Sequence, residues 1–358
     1  MMRKLALLAA VLVPAALAAA ATALSAGDHQ KIAGVSGTVW AVERFDGGVN
    51  TMAAFNAADG TVLGVVRVGR RPIGVVAPRG TGKVYSADER SDQLTVVEKS
   101  DFAAGRAHPR TIQMGGFPHH MMASPDGMRL YVAEYNTHMV GVVDTQIDAR
   151  VGGFYASGNP QAKTHAVWVT EDGKTLYAAN EGATTSSWGT VSKIDIATGQ
   201  RVWEVPLGIR PSEVLVTPNG KTLYATVRNE NLVRIWDVSG ARPELVRDVP
   251  IGTQPDTMRL TPDGKTLVVG LRGTPQMALL STDTYAVRTV TFTGYGISGH
   301  QWLSEDGKYT FIALESVDMG RPGGIGVVDN AAASVVAIWP YPGGPWPHGV
   351  YYEPQVLR

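Results

Sequence analysis

Beyond roughly its first thirty residues the chain alternates with the two-residue period of extended backbone. Segments such as "TLYAAN", "TLYATV" and "TLVVGL" are built from β-branched, aromatic and small apolar residues, and each follows an E-D-G-K, P-N-G-K or P-D-G-K stretch. A glycine behind Asp or Asn is the chemistry of a tight turn, because these residues tolerate the backbone conformations that reverse a chain. Apolar residues at the three- and four-residue spacing of a helix are missing. The pattern predicts short strands joined by turns and almost no helix.

The strands recur in groups. "FPHHMMASPDGMRLYVAEY" is echoed by "KTHAVWVTEDGKTLYAANEG", "RPSEVLVTPNGKTLYATVRN", "QPDTMRLTPDGKTLVVGLRG" and "ISGHQWLSEDGKYTFIALES"; a degenerate copy, "RPIGVVAPRGTGKVYSADER", precedes them, and a truncated one, "WPHGVYYEP", ends the chain. The copies begin at Pro72, Pro118, Thr164, Pro211, Pro255, Ser298 and Pro347, steps of roughly 45 residues that match propeller blades. Each full copy reads as four strands, the third of the kind "MVGVVDT" or "LVRIWDV". The last copy holds one strand, and "GTVWAVER", "VNTMAAFNA" and "TVLGVVRVG" near the start supply the other three. The expected fold is therefore all-β: residues 27–358 as a seven-bladed β-propeller of four-stranded antiparallel blades, its ring closed by strands from both ends so that no sheet edge stays open.

Residues 1–26, with Arg3 and Lys4 ahead of an alanine- and leucine-rich run, have the pattern of a secretory signal peptide. They predict a secreted or extracytoplasmic protein of the cell envelope, with no membrane span once the leader is removed. The 358 residues contain no cysteine, which excludes disulfides and thiolate metal sites. With 32 basic and 32 acidic residues and no run of either sign, nothing points to nucleic acid. Small molecules, metal ions or another protein on the channel face are the expected partners. Motifs for phosphate loops, dinucleotide folds, nucleophile elbows and zincins are absent.

The repeated P-D-G-K-x-L-Y followed by V-x-V-V-D-T resembles the YVTN-type β-propeller repeat, over nearly the whole chain beyond the leader. That resemblance implies the fold and says little of function, since such propellers serve as surface proteins, binding proteins and enzymes. A weaker likeness joins "THAVWVTEDGKTLYAANEG" to lactonase-type propellers, in which a histidine at the mouth of the strand and a glutamate in the following loop belong to the active site. It implies His165 and Glu181 as catalytic residues.

Position supplies candidates of its own. The start of each innermost strand should gather around one mouth of the central channel. One residue past the markers stand His119, His165, Asp256 and His348; two past stand His120, Glu213 and His300, so five of the eight histidines fall on fourteen positions. Strand alternation lets only one of the adjacent pair face the channel, and His119 is expected there. The loops after the second strands add Arg44, Glu89, Glu134, Glu181, Arg228, Arg272 and Glu315 to the same face. Two chemistries fit this set. His119, His165, His300, His348 and Asp256 suit a divalent transition metal such as copper, zinc, nickel or iron. His165 and Glu181 suit acid/base catalysis on a small organic molecule, with His120, Glu213, Arg228, Arg272 and Glu315 as ligand-binding residues. The main expectation is a metal ion or small ligand bound at this mouth; the alternatives are a lactonase, hydrolase or lyase and a non-catalytic interaction scaffold. Trp188 and Trp346 are placed where they can stack on a ligand, and Trp168 and Trp302 are expected to pack between blades.

Overall fold

The computed structural model describes residues 31–45, 48–317, 320 and 322–357; the expected signal peptide over 1–26 lies outside them. Seven antiparallel sheets of four strands each make up the described chain. Six follow one another: blade 1 from Pro72 to Gln113, blade 2 from Pro118 to Tyr155, blade 3 from Lys163 to Ile209, blade 4 from Pro211 to Pro250, blade 5 from Pro255 to Thr291 and blade 6 from Tyr295 to Pro340. Blade 7 is assembled from both ends, the C-terminal strand Pro347–Glu353 pairing with Thr38–Glu43 and continuing through Thr51–Asn56 to Val62–Arg67. The first strands of successive blades touch one another around a full circuit, and Pro347–Glu353 closes it between Tyr295–Leu303 and Pro72–Val76. Apart from two 3₁₀ turns, the one described helix is Lys99–Ala103, whose Phe102 seats its ring edge-on against Trp40 with centroids 5.1 Å apart.

The turns show why the repeat needs its residues. In blade 3 the Thr170 hydroxyl donates to Asp172 Oδ1 at 2.6 Å and accepts the Thr175 N–H at 3.1 Å, while the Lys174 N–H reaches the same carboxylate oxygen at 3.0 Å. Gly173 between them sits at φ +68, where a β-carbon is strained. Thr217 with Asn219, Thr261 with Asp263 and Ser304 with Asp306 repeat the device. Between the blades lie seven apolar clusters, each drawing its members from two neighbouring sheets. Each sheet thus buries both faces, as the nearly continuous apolar third strands require. Among the described residues no helix is long and apolar enough to cross a membrane.

One irregularity repeats in every blade. At the start of each innermost strand the register with the second strand shifts, as between Pro118 and Met121, Thr164 and Ala166, Pro211 and Glu213, or Pro255 and Met258. Blades 1, 6 and 7 have it as well. A bulge gives one strand an extra residue and re-aims its side chains. The seven bulges coincide with the positions one and two past the markers.

Candidate active site at the channel mouth

In four blades the residue before the marker proline is held in the left-handed region: Arg71, Phe117, Arg210 and Gln254 at φ 54, 44, 59 and 52. The chain then turns into the bulge and runs inward. Blades 3, 4 and 5 together build a polar cluster at this mouth. His165, 5% exposed, places Nδ1 2.7 Å from the Ser212 carbonyl oxygen. A carbonyl only accepts, so Nδ1 carries the proton and Nε2 keeps its lone pair. Nε2 faces Arg228 Nη2 at 3.4 Å and Glu181 Oε1 at 3.7 Å. Glu181 is fixed by the Tyr135 hydroxyl, which donates to Oε2 at 2.9 Å, and by the Arg210 Nε–H at 3.4 Å. Arg228 donates to Asp256, which also has Arg272 at 3.7 Å.

The charges follow from burial and neighbours. Asp256 is buried, which opposes ionisation, but Arg228 and Arg272 hold its carboxyl well below the usual range. Arg228 is likewise penalised by burial, and Asp256 and Glu181 more than compensate, raising its pKa. Burial first, and then the Arg228 guanidinium, push His165 down to about 3, so it is neutral at physiological pH. His119 stacks on this group, its ring 4.3 Å from that of His165 and 5.5 Å from that of Tyr135, with Nδ1 3.1 Å from the His165 carbonyl oxygen. Burial, and then His165, lower its pKa too.

Across the mouth His300 and His348 form a second pair with centroids 4.3 Å apart. His348 Nδ1 lies 3.5 Å from Glu315, which Arg44 approaches at 3.6 Å. Burial holds both imidazoles well below their ordinary value. As a test of fit for a metal, the imidazoles come as two pairs, Nδ1 of His119 and of His165 are turned to backbone carbonyls, and guanidiniums stand among the donors. Among the described residues no group of three His, Asp or Glu side chains is arranged to hold an ion.

Three placements depart from the expectations. His120 does not turn into the blade packing: the bulge keeps it in the channel below His119, where Nε2 lies 3.3 Å from Glu213. Glu213 is therefore deep in the channel and away from the mouth, fully buried, accepting the Met258 N–H and bonded to Arg259 Nη1 at 2.7 Å; burial raises its pKa. Glu134 is not at the mouth either. It pairs with Pro118 at the end of its strand and bonds inside its own blade to Arg150 at 2.8 Å, leaving Tyr135 on the position that Glu181 occupies next door. Tyr135 and Arg210 were missed by sequence reasoning. A sign of Arg210 was present, since "RP" opens two of the copies and the structure sends both arginines to the mouth, Arg71 to Glu89 at 3.1 Å and Arg210 to Glu181. Trp188 is exposed and Trp346 rests on Phe45, whereas Trp168 and Trp302 pack against the apolar clusters between blades, as expected, and also line a cavity at the opposite end of the channel.

Comparison with known proteins bears on this stretch. A family model described as "Lactonase, 7-bladed beta-propeller" matches residues 165–286, which include His165, Glu181, Arg228, Asp256 and Arg272. None of the curated proteins compared matches the chain. Among solved structures, hydrazine synthase of Kuenenia stuttgartiensis is similar with 22% identity and a TM-score of 0.65, over 88% of this chain and 98% of that one. A periplasmic gluconolactonase of Pseudomonas aeruginosa is similar with 17% identity and a TM-score of 0.67, over 88% of this chain and 98% of its own. At these identities the structural likeness speaks for the fold alone. The chain is a seven-bladed β-propeller whose stretch 165–286 is similar to the seven-bladed lactonase family.

Proposed function

We propose that the protein is an acid/base enzyme of lactonase type that opens a small, negatively charged cyclic ester at the mouth formed by blades 3 to 5. The observation that carries this reading is His165, with one ring nitrogen pinned to the Ser212 carbonyl and the other beside Glu181 and Arg228. The family match over residues 165–286 supports it.

Charge gives the substrate class. The ion pairs of the mouth bring together the five guanidiniums of Arg44, Arg71, Arg210, Arg228 and Arg272 and the four carboxylates of Glu89, Glu181, Asp256 and Glu315. With neutral imidazoles the ring carries one surplus positive charge, which favours an anion. Arg272, 29% exposed at 3.7 Å from Asp256, and Arg210, 32% exposed at 3.4 Å from Glu181, are the guanidiniums to meet it.

A water molecule adds to the lactone carbonyl carbon and gives its proton to His165 Nε2, while the charge growing on the carbonyl oxygen is met by the arginine N–H groups. The ring C–O bond then breaks, and its oxygen takes the proton back from the imidazolium, so that one water is consumed. His165 is a weak base while its pKa is held down. A bound anion raises that pKa, and Glu181 Oε1 at 3.7 Å stabilises the imidazolium while it exists. The test is hydrolysis of neutral, carboxylated and phosphorylated lactones by protein freed of metals with chelator. The anionic members are expected to open fastest, with Glu181→Gln and His165→Gln each lowering kcat/KM by about a hundredfold or more. Full activity in either variant, or activity that vanishes with chelator, contradicts the reading.

A further inference from the structure

The far end of the channel holds a second chamber. A cavity of about 610 Å³ opens where the innermost strands of blades 2 to 7 run into their turns. Trp168 and Trp302, read in the sequence as packing residues, line it with Leu215, Leu260 and Leu303. The volume is in the range of small-molecule sites, and so is a largely apolar wall with few polar groups. His120, Glu213 and Arg259 fill the channel between this chamber and the mouth bearing His165. A space of about 20 Å³ lies beside His120, His300 and Gln301.

Arg259 is the buried charged group of the chamber. Its guanidinium lies 4.2 Å from the Trp302 ring and 5.9 Å from that of Trp168. Both of its hydrogen bonds leave from Nη1, to Glu213 Oε1 at 2.7 Å and to the Met258 carbonyl at 2.6 Å. Nε is buried without a partner, so the edge formed by Nε and Nη2 makes no bond to protein. Elsewhere in this molecule that same edge is used: Arg150 holds Glu134 with it, and Arg234 holds Asp248 at 2.7 Å from both nitrogens. A buried donor left unsatisfied is destabilising, and an acceptor from a ligand removes that cost.

The acceptor need not be charged. Glu213 already balances the Arg259 charge, and Glu171 and Glu305 at the rim repel anions. We infer that this chamber binds a flat, mostly apolar and uncharged molecule through a carbonyl oxygen on the free edge of Arg259, independently of the chemistry at the other mouth. The juxtaposition of that edge, the two indoles and an apolar wall carries the inference.

Isothermal titration of the full chain with 2-acetonaphthone, 2-naphthoate and 2-ethylnaphthalene tests it. The ketone is expected to bind one to one, at least tenfold more tightly than the carboxylate or the hydrocarbon. Ala123→Phe, which projects a ring into the chamber, should abolish binding. Arg259→Met combined with Glu213→Gln removes both charges together and should weaken the ketone at least tenfold without leaving a buried charge. His165→Gln should leave binding unchanged. No binding of the ketone, equal binding of the three probes, a preference for the carboxylate, undiminished binding in either chamber variant, or loss in His165→Gln overturns the inference.

Discussion

Asp256→Asn tests the electrostatic account of the mouth. The wild-type pair with Arg228 leaves the two side chains 4% and 1% exposed, so the guanidinium has almost no water to turn to when the carboxylate is neutralised. Removing one partner of a buried pair costs about 3–5 kcal/mol. Asparagine still offers Arg228 a neutral acceptor, and Glu181 remains 3.8 Å away, which places the expected loss near the lower end of that range. At roughly 2 °C per kcal/mol for a chain of this size, the melting temperature should fall by about 6 °C. Denaturant unfolding of Asp256→Asn, Arg228→Met and the double variant measures it. The double variant should be no less stable than Asp256→Asn, because the stranded charge has gone, which gives a coupling of about 1–3 kcal/mol. A single variant within 1 kcal/mol of wild type, or additive losses, would refute the reasoning.

Other consequences can be checked directly. His165, His300 and His348 have folded-state pKa values below their ordinary range, so the unfolded chain takes up protons first; their contribution is complete above about pH 6.5 and falls as pH is lowered, with the denaturant midpoint at pH 5.5 expected below that at pH 7.5 and a flat profile counting against it. Gly299, at φ +86, would bring a β-carbon within 2.5 Å of the Asp256 Cβ, so Gly299→Ala should lose about 2 kcal/mol or more in thermal unfolding and weaken activity through the displaced carboxylate. Tyr135→Phe removes the 2.9 Å hydrogen bond that holds Glu181, and kcat should drop about tenfold or less with the fold intact; an unchanged kcat would show that Glu181 needs no such support. Deleting residues 347–358 strips blade 7 of its inner strand, and circular dichroism should report loss of cooperative unfolding.

The blades were legible because their turns repeat a side-chain hydroxyl, an Asp or Asn oxygen and a glycine: Thr170, Asp172 and Gly173 are matched by Thr217, Asn219 and Gly220. Closure was legible for a similar reason, since the final copy lacks three strands and the beginning of the chain supplies three. The clustering of His119, His165, His300 and His348 at one end followed from their shared place in the repeat. The local backbone was not legible. Period-two reasoning sends His120 away from the channel, and a bulge in every innermost strand brings it back. The same arithmetic, one residue out, gave Glu134 the place that belongs to Tyr135. The left-handed conformation ahead of the marker prolines, which delivers Arg210 to Glu181, leaves no mark beyond the dipeptide Arg-Pro. The cavity beside Trp168 and Trp302 was hidden because an indole packing between blades and one lining a chamber occupy the same strand position.

In the proposed reaction His165 moves the proton when a cyclic ester opens at the mouth. The most direct measurement is the pH-stat rate of ring opening of the best anionic lactone, in chelator, by wild type and His165→Gln. A hundredfold or greater fall in kcat with a nearly unchanged KM, and with the melting temperature retained, is the predicted result. Equal kcat in the two proteins would contradict the account.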